Sequence, residues 1–249
     1  MSTSREQIVE KYFLNLGLSK GDSDIYYVRN SILRAVKANL HKFYGTLLDV
    51  GCGIMPYREL IRENNPRVST YIGLDFDAPL TWEFSVCKPD LIWDGKNIPL
   101  GNESVDCIMA TELFEHCPEP ENVMREMYRV IRPGGLIFFT VPFIWNLHLV
   151  PYDEYRYTPF SLRRHLSNAG FVDIELEALG GLDASLAQML GIWLQRRQLS
   201  RAVKAALAVL ILPLMKLLIK KDLRTNTKAV FSDGTMYTGL HGVAFKKNV

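Results

Sequence analysis

The chain carries five short runs that are mainly apolar, and most lack polar alternation: TLLDV (46–50), STYIGLD (69–75), DLIWD (90–94), SVDCIMA (104–110) and LIFFTV (136–141). Runs of this length and character predict strands buried on both faces. Between them the period changes to that of a helix. Ile25, Val28, Ile32, Val36 and Leu40 recur at three- or four-residue spacing and predict a helix over 24–44, ended by Gly45. A helix over 57–64 is closed by Asn65-Pro66, and one over 119–131 stops at the turn signal RPGG (132–135). Pro159 opens another that ends at Gly170. FVDIELE (171–177) alternates and predicts a strand with one wetter face, and GLHGVAFK (239–246) predicts a final strand.

Strands alternating with helices imply an α/β fold, a mostly parallel sheet with helices on both faces. Ligands of such sheets bind at the carboxyl ends of the strands, where strand order reverses. The 249 residues suit a single domain over 1–249, whose N-terminal part, 1–44, is a helical segment. The alternation breaks over 180–237, a helical insert before the last strand. There the uncharged run 205–215 is flanked by Arg196, Arg197, Arg201 and Lys204 on one side and Lys216, Lys220 and Lys221 on the other. A bilayer span needs about 20 apolar residues, so a full crossing is disfavoured, and Pro213 predicts a kink or an end to the helix. The apolar character of 202–221 extends nearly all round, as in a buried helix. Three roles stay open for it: a cap over the active site, a homodimer interface, or a membrane-surface element.

Composition narrows the class. Apolar residues make up 48% and charged residues 22%, which is a globular and not a disordered composition. A formal net charge of +2 gives no electrostatic case for nucleic acid. Cys52, Cys87, Cys107 and Cys117 form no CxxC pair and no zinc spacing, which points to reduced thiols in the cytoplasm. MSTSREQIVEKYF at the start has no apolar signal region. The expected location is therefore cytoplasmic, and peripheral at the inner face of a membrane if the insert is a surface element.

Chemistry concentrates first in LLDVGCGIMPY (47–57). Gly51 and Gly53 bare the backbone just after the first strand, so amides can close on a ligand and the loop can take positive φ. The helix that follows favours an anionic partner. Asp75 ends the second strand, where an acid commonly accepts ribose hydroxyls, and Asp94 ends the third, in reach of an adenine amine. A dinucleotide fingerprint would require glycine at position 56, where this chain has Pro56. A smaller nucleoside with an amino-acid tail fits better.

The order and spacing of LLDVGCG, IGLD, DGKNIPLGNESVDCIMATELFEH and MYRVIRPGG resemble the class I S-adenosylmethionine-dependent methyltransferases, of the type 11 kind, over about residues 36–177 and the last strand. Met55 stands where the family's first motif usually has its third glycine. The resemblance implies a Rossmann-like sheet of seven strands whose last strand is antiparallel, and S-adenosyl-L-methionine as cofactor. It implies that Asp49, Gly51 and Gly53 hold the cofactor's amino-acid end, that Asp75 binds the ribose with Phe76 beside the adenine, and that Asp94 meets the adenine amine. Thr111 and Glu112 would border the methionine part. Each acid also has a plainer reading: Asp49 orients its own loop, Asp75 is a surface acid and Asp94 is a turn residue.

A hydroxyl acceptor must lose its proton, and histidine is the first candidate base. PFIWNLHLVPYDEYRYT (142–158) follows the fifth strand on the ligand edge. It supplies His148 as base, Asp153 to orient it, and Trp145, Tyr155, Arg156 and Tyr157 as a substrate wall of aromatics and charge. The segment resembles one in methyltransferases of bacterial surface-polysaccharide and related pathways. A structured loop whose polar groups satisfy one another is the alternative. His116 is the rival base. ELFEH resembles the same segment of quinone-pathway O-methyltransferases, in which Glu112, Glu115 and His116 would hold a divalent cation. Relatives without a metal share the motif, so no metal is expected. His241 reads as structural and His41 as a helix cap. Three functions follow: O-methylation of a sugar, glycan or lipid-linked intermediate, O-methylation of a quinone or small aromatic, or a non-catalytic cofactor-binding adaptor at a membrane.

Overall fold

The computed structural model describes residues 4–76, 87–225 and 231–248. Seven strands form one sheet: β1 (Gly45–Val50), β2 (Val68–Asp75), β3 (Leu91–Ile92), β4 (Val105–Thr111), β5 (Ile131–Pro142), β6 (Val172–Leu179) and β7 (Gly239–Phe245), in the order β3-β2-β1-β4-β5-β7-β6. β1 is parallel to β2 and β4, and β4 to β5, whereas β7 is antiparallel to both β5 and β6. The α/β, Rossmann-like architecture and the antiparallel last strand are as expected. The order reverses at β1, so the crevice beyond β1 and β4 is where a ligand has room.

The absence of alternation in β1 has a direct cause. Leu47 packs with Val36, Phe43, Ile61 and Phe138 on one side of the sheet, while Leu48 packs with Ile108, Met124, Ile137 and Phe139 on the other. The first side is covered by α2 (Ser23–Asn39) and α3 (Arg58–Asn64), the second by α4 (Pro120–Val130) and α5 (Pro159–Asn168). Ahead of these lie α1 (Arg5–Val9) and a wide helical turn, Glu10–Leu14.

Some boundaries differ from expectation. α2 stops at Asn39 and gives way to a single tight turn, Leu40–Lys42, because Asn65 Nδ2 donates to the carbonyls of Leu40 (2.6 Å) and Phe43 (3.0 Å) and turns the fully buried Phe43 inward. β3 is only Leu91–Ile92, which leaves Asp94 in the loop beyond it. RPGG is a loop-out inside β5 and not a break before it. Ile131 already pairs with Val105, pairing resumes at Leu136 with Cys107, and Gly134 at φ +77° takes up the extra length.

The insert is a helical hairpin, α6 (Leu182–Arg196) and α7 (Arg201–Thr225). α6 sits on α2: Gln188 Nε2 donates to the Asp24 carbonyl (2.7 Å), and a Cβ on Gly191 would stand 2.2 Å from the Ser23 carbonyl oxygen. α7 runs through Pro213 without ending. The expectation of a buried helix is overturned. Ala208, Met215, Ile219 and Asp222 form a narrow buried stripe, but the segment Arg201–Arg224 is only 17% buried over its most apolar window, and it is long and apolar enough to cross a membrane.

Candidate active site

At the end of β1 the chain doubles back over β2. Gly51 (φ +70°) and Cys52 both donate their amides to the Leu74 carbonyl, at 2.9 and 3.2 Å. A Cβ at Gly51 would lie 2.8 Å from Leu113 Cδ1, whereas one at Gly53 (φ +49°) would meet nothing within 4 Å among the described residues. Asp75 locks this loop to the end of β2: its Oδ2 accepts from the Gly53 amide (2.7 Å) and its Oδ1 from the Phe76 amide (2.8 Å). Arg5 clamps the far side, donating to the carbonyls of Ile54 (2.8 Å) and Met55 (2.7 Å).

Beyond the loop lies a cleft of about 590 Å³ whose wall includes Gly51, Gly53, Asp75, Phe76, Asp94, Thr111, Glu112 and His148. These predicted residues come from separate strands and loops, and the fold brings them to one cavity. The open space at Gly53, the acid at the end of β2 and the Phe76 ring beside Trp93 (5.7 Å between centroids) fit a nucleoside with an amino-acid tail.

Two predicted acids are placed differently. Asp49 lies beneath the loop, 1% exposed, and is not on the wall. Tyr71 donates its hydroxyl to Asp49 Oδ2 while Oδ1 has no hydrogen-bond partner among the described residues, and burial, against that hydrogen bond, pushes the Asp49 carboxyl up to about 7. Asp94 is on the wall, but it also caps its own turn. Its Oδ1 accepts from the amides of Lys96 (2.8 Å) and Asn97 (2.7 Å), and the Asn97 and Lys96 amides hold its carboxyl down at about 2.

The other end of the cleft is made by the segment after β4 and the loop after β5. Glu112, at φ +53°, accepts from the Thr140 hydroxyl (2.8 Å). Glu115 is fully buried, and among the described residues neither carboxylate oxygen has a hydrogen-bond partner, His116 Nε2 standing 3.8 Å from Oε1. Burial, together with the nearby Glu112 charge, drives the Glu115 carboxyl well above the ordinary range, and burial raises Glu112 as well. His148 Nδ1 lies 3.1 Å from Asp153 Oδ2. Burial works to raise Asp153, but the Arg156 guanidinium (2.6 Å) and the His148 amide (3.1 Å) bring it down to about 2. An ionised carboxylate only accepts, so His148 Nδ1 carries the proton and Nε2 keeps the lone pair. The same logic applies to His116, whose Nδ1 faces the Tyr152 carbonyl at 2.9 Å. Glu115, His116 and His148 bring one ligand atom each within 4.8 Å of one another, a donor set suited to a divalent cation.

Trp145, Tyr155, Arg156 and Tyr157 do not line the cleft. Arg156 grips Asp153, and Trp145 and Asn146 present backbone carbonyls to it at 3.4 Å. The Tyr157 hydroxyl donates to the Phe114 carbonyl (2.9 Å), the Tyr155 hydroxyl to the Pro118 carbonyl (3.0 Å), and the two rings stack. These residues build the platform behind His148. The wall instead includes Phe13, Arg29, Trp93, Lys96 and Tyr152, which sequence reasoning did not assign to it, and His116, the rival base. Phe13 and Arg29 come from the N-terminal helices, with the guanidinium 4.1 Å over the ring.

Comparison with known proteins gives the same picture. Residues 48–139 match a methyltransferase domain family. A ubiquinone biosynthesis O-methyltransferase of Pseudomonas fluorescens is 30% identical over 106 residues, which cover 38% of this chain and 43% of that protein. The chain thus matches less than half the length of this curated relative. Among solved structures, a SAM-dependent methyltransferase from Archaeoglobus fulgidus superposes with a TM-score of 0.53 at 17% identity, covering 88% of this chain and 94% of that one. Phosphoethanolamine N-methyltransferase 2 of Haemonchus contortus, in complex with S-adenosyl-L-methionine, gives 0.54 at 14% identity over 99% and 61%. At these identities the likeness is one of fold.

Proposed function

We propose that this chain, which carries a class I S-adenosylmethionine-dependent methyltransferase domain, methylates a hydroxyl oxygen and uses His148 as the base. The observation that supports this reading is His148, on the wall of the cleft that also holds Gly53 and Asp75, with Asp153 paired to its ring. S-adenosylmethionine, when bound, supplies an electrophilic methyl group on a sulfonium. Asp75 would hold the ribose, Phe76 and Trp93 the adenine, and the Gly51–Gly53 loop with Thr111 and Glu112 the methionine end.

His148 takes the acceptor's proton at Nε2. Asp153 fixes the ring's tautomer and stabilises the imidazolium that forms. Burial, followed by the neighbouring His116, lowers the His148 pKa from 6.5, so the imidazole is neutral and ready to accept at pH 7. Alignment of the acceptor contributes the rest of the rate gain, up to roughly 7–11 kcal/mol in the best cases. In this reading the acceptor is a sugar, glycan or lipid-linked hydroxyl, and His148 is its base.

The orphaned Glu115 carboxylate favours a second reading, a quinol or small phenol. There Glu115, His116 and His148 would hold a divalent cation, which would lower the acceptor's pKa. One experiment separates the two: turnover on glycan and phenol panels before and after chelation. The first reading expects methylated glycan and no effect of chelator. Methylated phenol, lost on chelation and restored by Mg²⁺ or Zn²⁺, selects the second. Firm cofactor binding with no product from any acceptor leaves the adaptor role.

A further inference from the structure

The hairpin α6–α7 presents a large apolar face to solvent with a ring of positive charge. On α7, Val209 is 71% exposed, Leu210 73% and Leu217 63%, and Leu214 is exposed beside them. On α6, Leu182, Leu186, Met189 and Trp193 are exposed at a spacing that puts them on one stripe. The hairpin also holds eight of the chain's 29 Lys and Arg but only two of its 27 Asp and Glu. The two acids are committed within the protein: Asp183 pairs with Lys221 at 3.1 Å, and Asp222 accepts from the Gly181 and Ala184 amides at 2.9 and 3.1 Å. Arg197, Arg201, Lys216, Lys220 and Arg224 take part in no ion pair among the described residues, and all are exposed. The insert is therefore strongly basic, and the rest of the molecule carries a net negative charge.

We infer that the α6–α7 hairpin docks the protein flat on an anionic lipid surface, with the apolar face in the headgroup boundary and the basic residues on the lipid phosphates. Apolar area and cationic flanks are the two requirements of interfacial binding. The hairpin lies on the membrane and does not cross it. The end of α7 is tied through Asp222 to the start of α6, and the inner side of α6 is fixed to α2 by the Gln188–Asp24 and Ser23–Gly191 hydrogen bonds. A crossing would drag those polar contacts into hydrocarbon. A second copy is disfavoured as occupant, because a two-fold contact would set the basic ends of one α7 against the basic ends of the other. The inference stands whether or not the cleft methylates a hydroxyl.

The test is co-sedimentation of the full-length protein with phosphatidylcholine vesicles and with vesicles containing phosphatidylglycerol, at low and high salt. The expected result is at least about tenfold tighter binding to the anionic vesicles, weakened by salt, with quenching of Trp193 by brominated lipid. Leu210→Asp/Leu214→Asp should abolish binding, and Lys216→Glu/Lys220→Glu should remove the preference for anionic lipid. Both variants should keep the wild-type circular dichroism and S-adenosylhomocysteine affinity, which reports folding and the cleft separately from the membrane. No binding to anionic vesicles, binding that neither variant alters, or a solution dimer broken by Leu210→Asp/Leu214→Asp would each overturn the inference.

Discussion

The two ends of the cleft are built on opposite principles. At the β1–β2 end the backbone is finished: Gly51, Cys52 and Gly53 amides are all engaged, and Asp75 spends an oxygen on Gly53 and another on Phe76. At the other end, among the described residues, the buried Glu115 carboxyl has no hydrogen bond to either oxygen, and His116 Nε2 stands 3.8 Å from its Oε1. A buried carboxyl without hydrogen bonds costs stability, so that end favours a ligand, proton or cation, while the first end is already a rigid frame. Under the proposed function, the first end would hold the cofactor by its shape and the second would react.

The largest expected effect tests the reactive end. His148→Ala should lower turnover by about 10²–10⁴-fold, the usual worth of a positioned base, and leave S-adenosylhomocysteine affinity near wild type in calorimetry. Equal losses of both would merge the two ends into one. The rate of the wild-type protein should rise with pH through an apparent pKa below 6.5, because His148 must be neutral to act, and be level by pH 7.

Next comes the frame. Asp75→Ala should weaken cofactor binding by about 1.5–3 kcal/mol, the worth of hydrogen bonds to a charged group, measured by the same titration. The paired glycines sharpen the point. Both sit at positive φ, so Ala at either costs about 1–2 kcal/mol of backbone strain, but Gly51→Ala also drives a methyl into Leu113. Denaturant midpoints should therefore fall further for Gly51→Ala than for Gly53→Ala.

The last effect is on pH dependence and concerns Asp49. Its folded pKa, about 7, lies above the ordinary 3.8, so the protonated form is favoured by folding. The linked stability is present below pH 4 and is lost as pH rises through 7. Asp49→Asn, which still accepts from Tyr71, should flatten that loss when urea midpoints at pH 5 and pH 8 are compared. An unchanged pH slope would show that Asp49 is ionised in place.

The sheet was legible because its residues are simple in their needs. Leu47 and Leu48 are both buried on opposite faces, which forbids alternation, and the Gly51–Gly53 turn demands bare backbone. The place of Asp75 and Phe76 on the cleft wall was legible for the same reason, since they follow directly from the end of β2. Residues 143–157 were harder. Trp145, Tyr155, Arg156 and Tyr157 have the composition of a substrate wall, yet their bonds run to Asp153, Pro118 and Phe114, and composition does not reveal which way a side chain faces. Phe13 and Arg29 reach the cleft from an N-terminal helical segment that carries no motif. The exposure of α7 was also hidden, because a helix apolar all round reads alike whether its partner is protein or lipid.

The measurement that bears most directly on the cleft is calorimetric titration of S-adenosylhomocysteine into the wild-type protein and Asp75→Ala. One-to-one saturable binding, weakened in the variant by the amount given above, is expected. No heat of binding in the wild-type protein, or equal affinity in both, would contradict the assignment of the β1–β2 end as the cofactor frame.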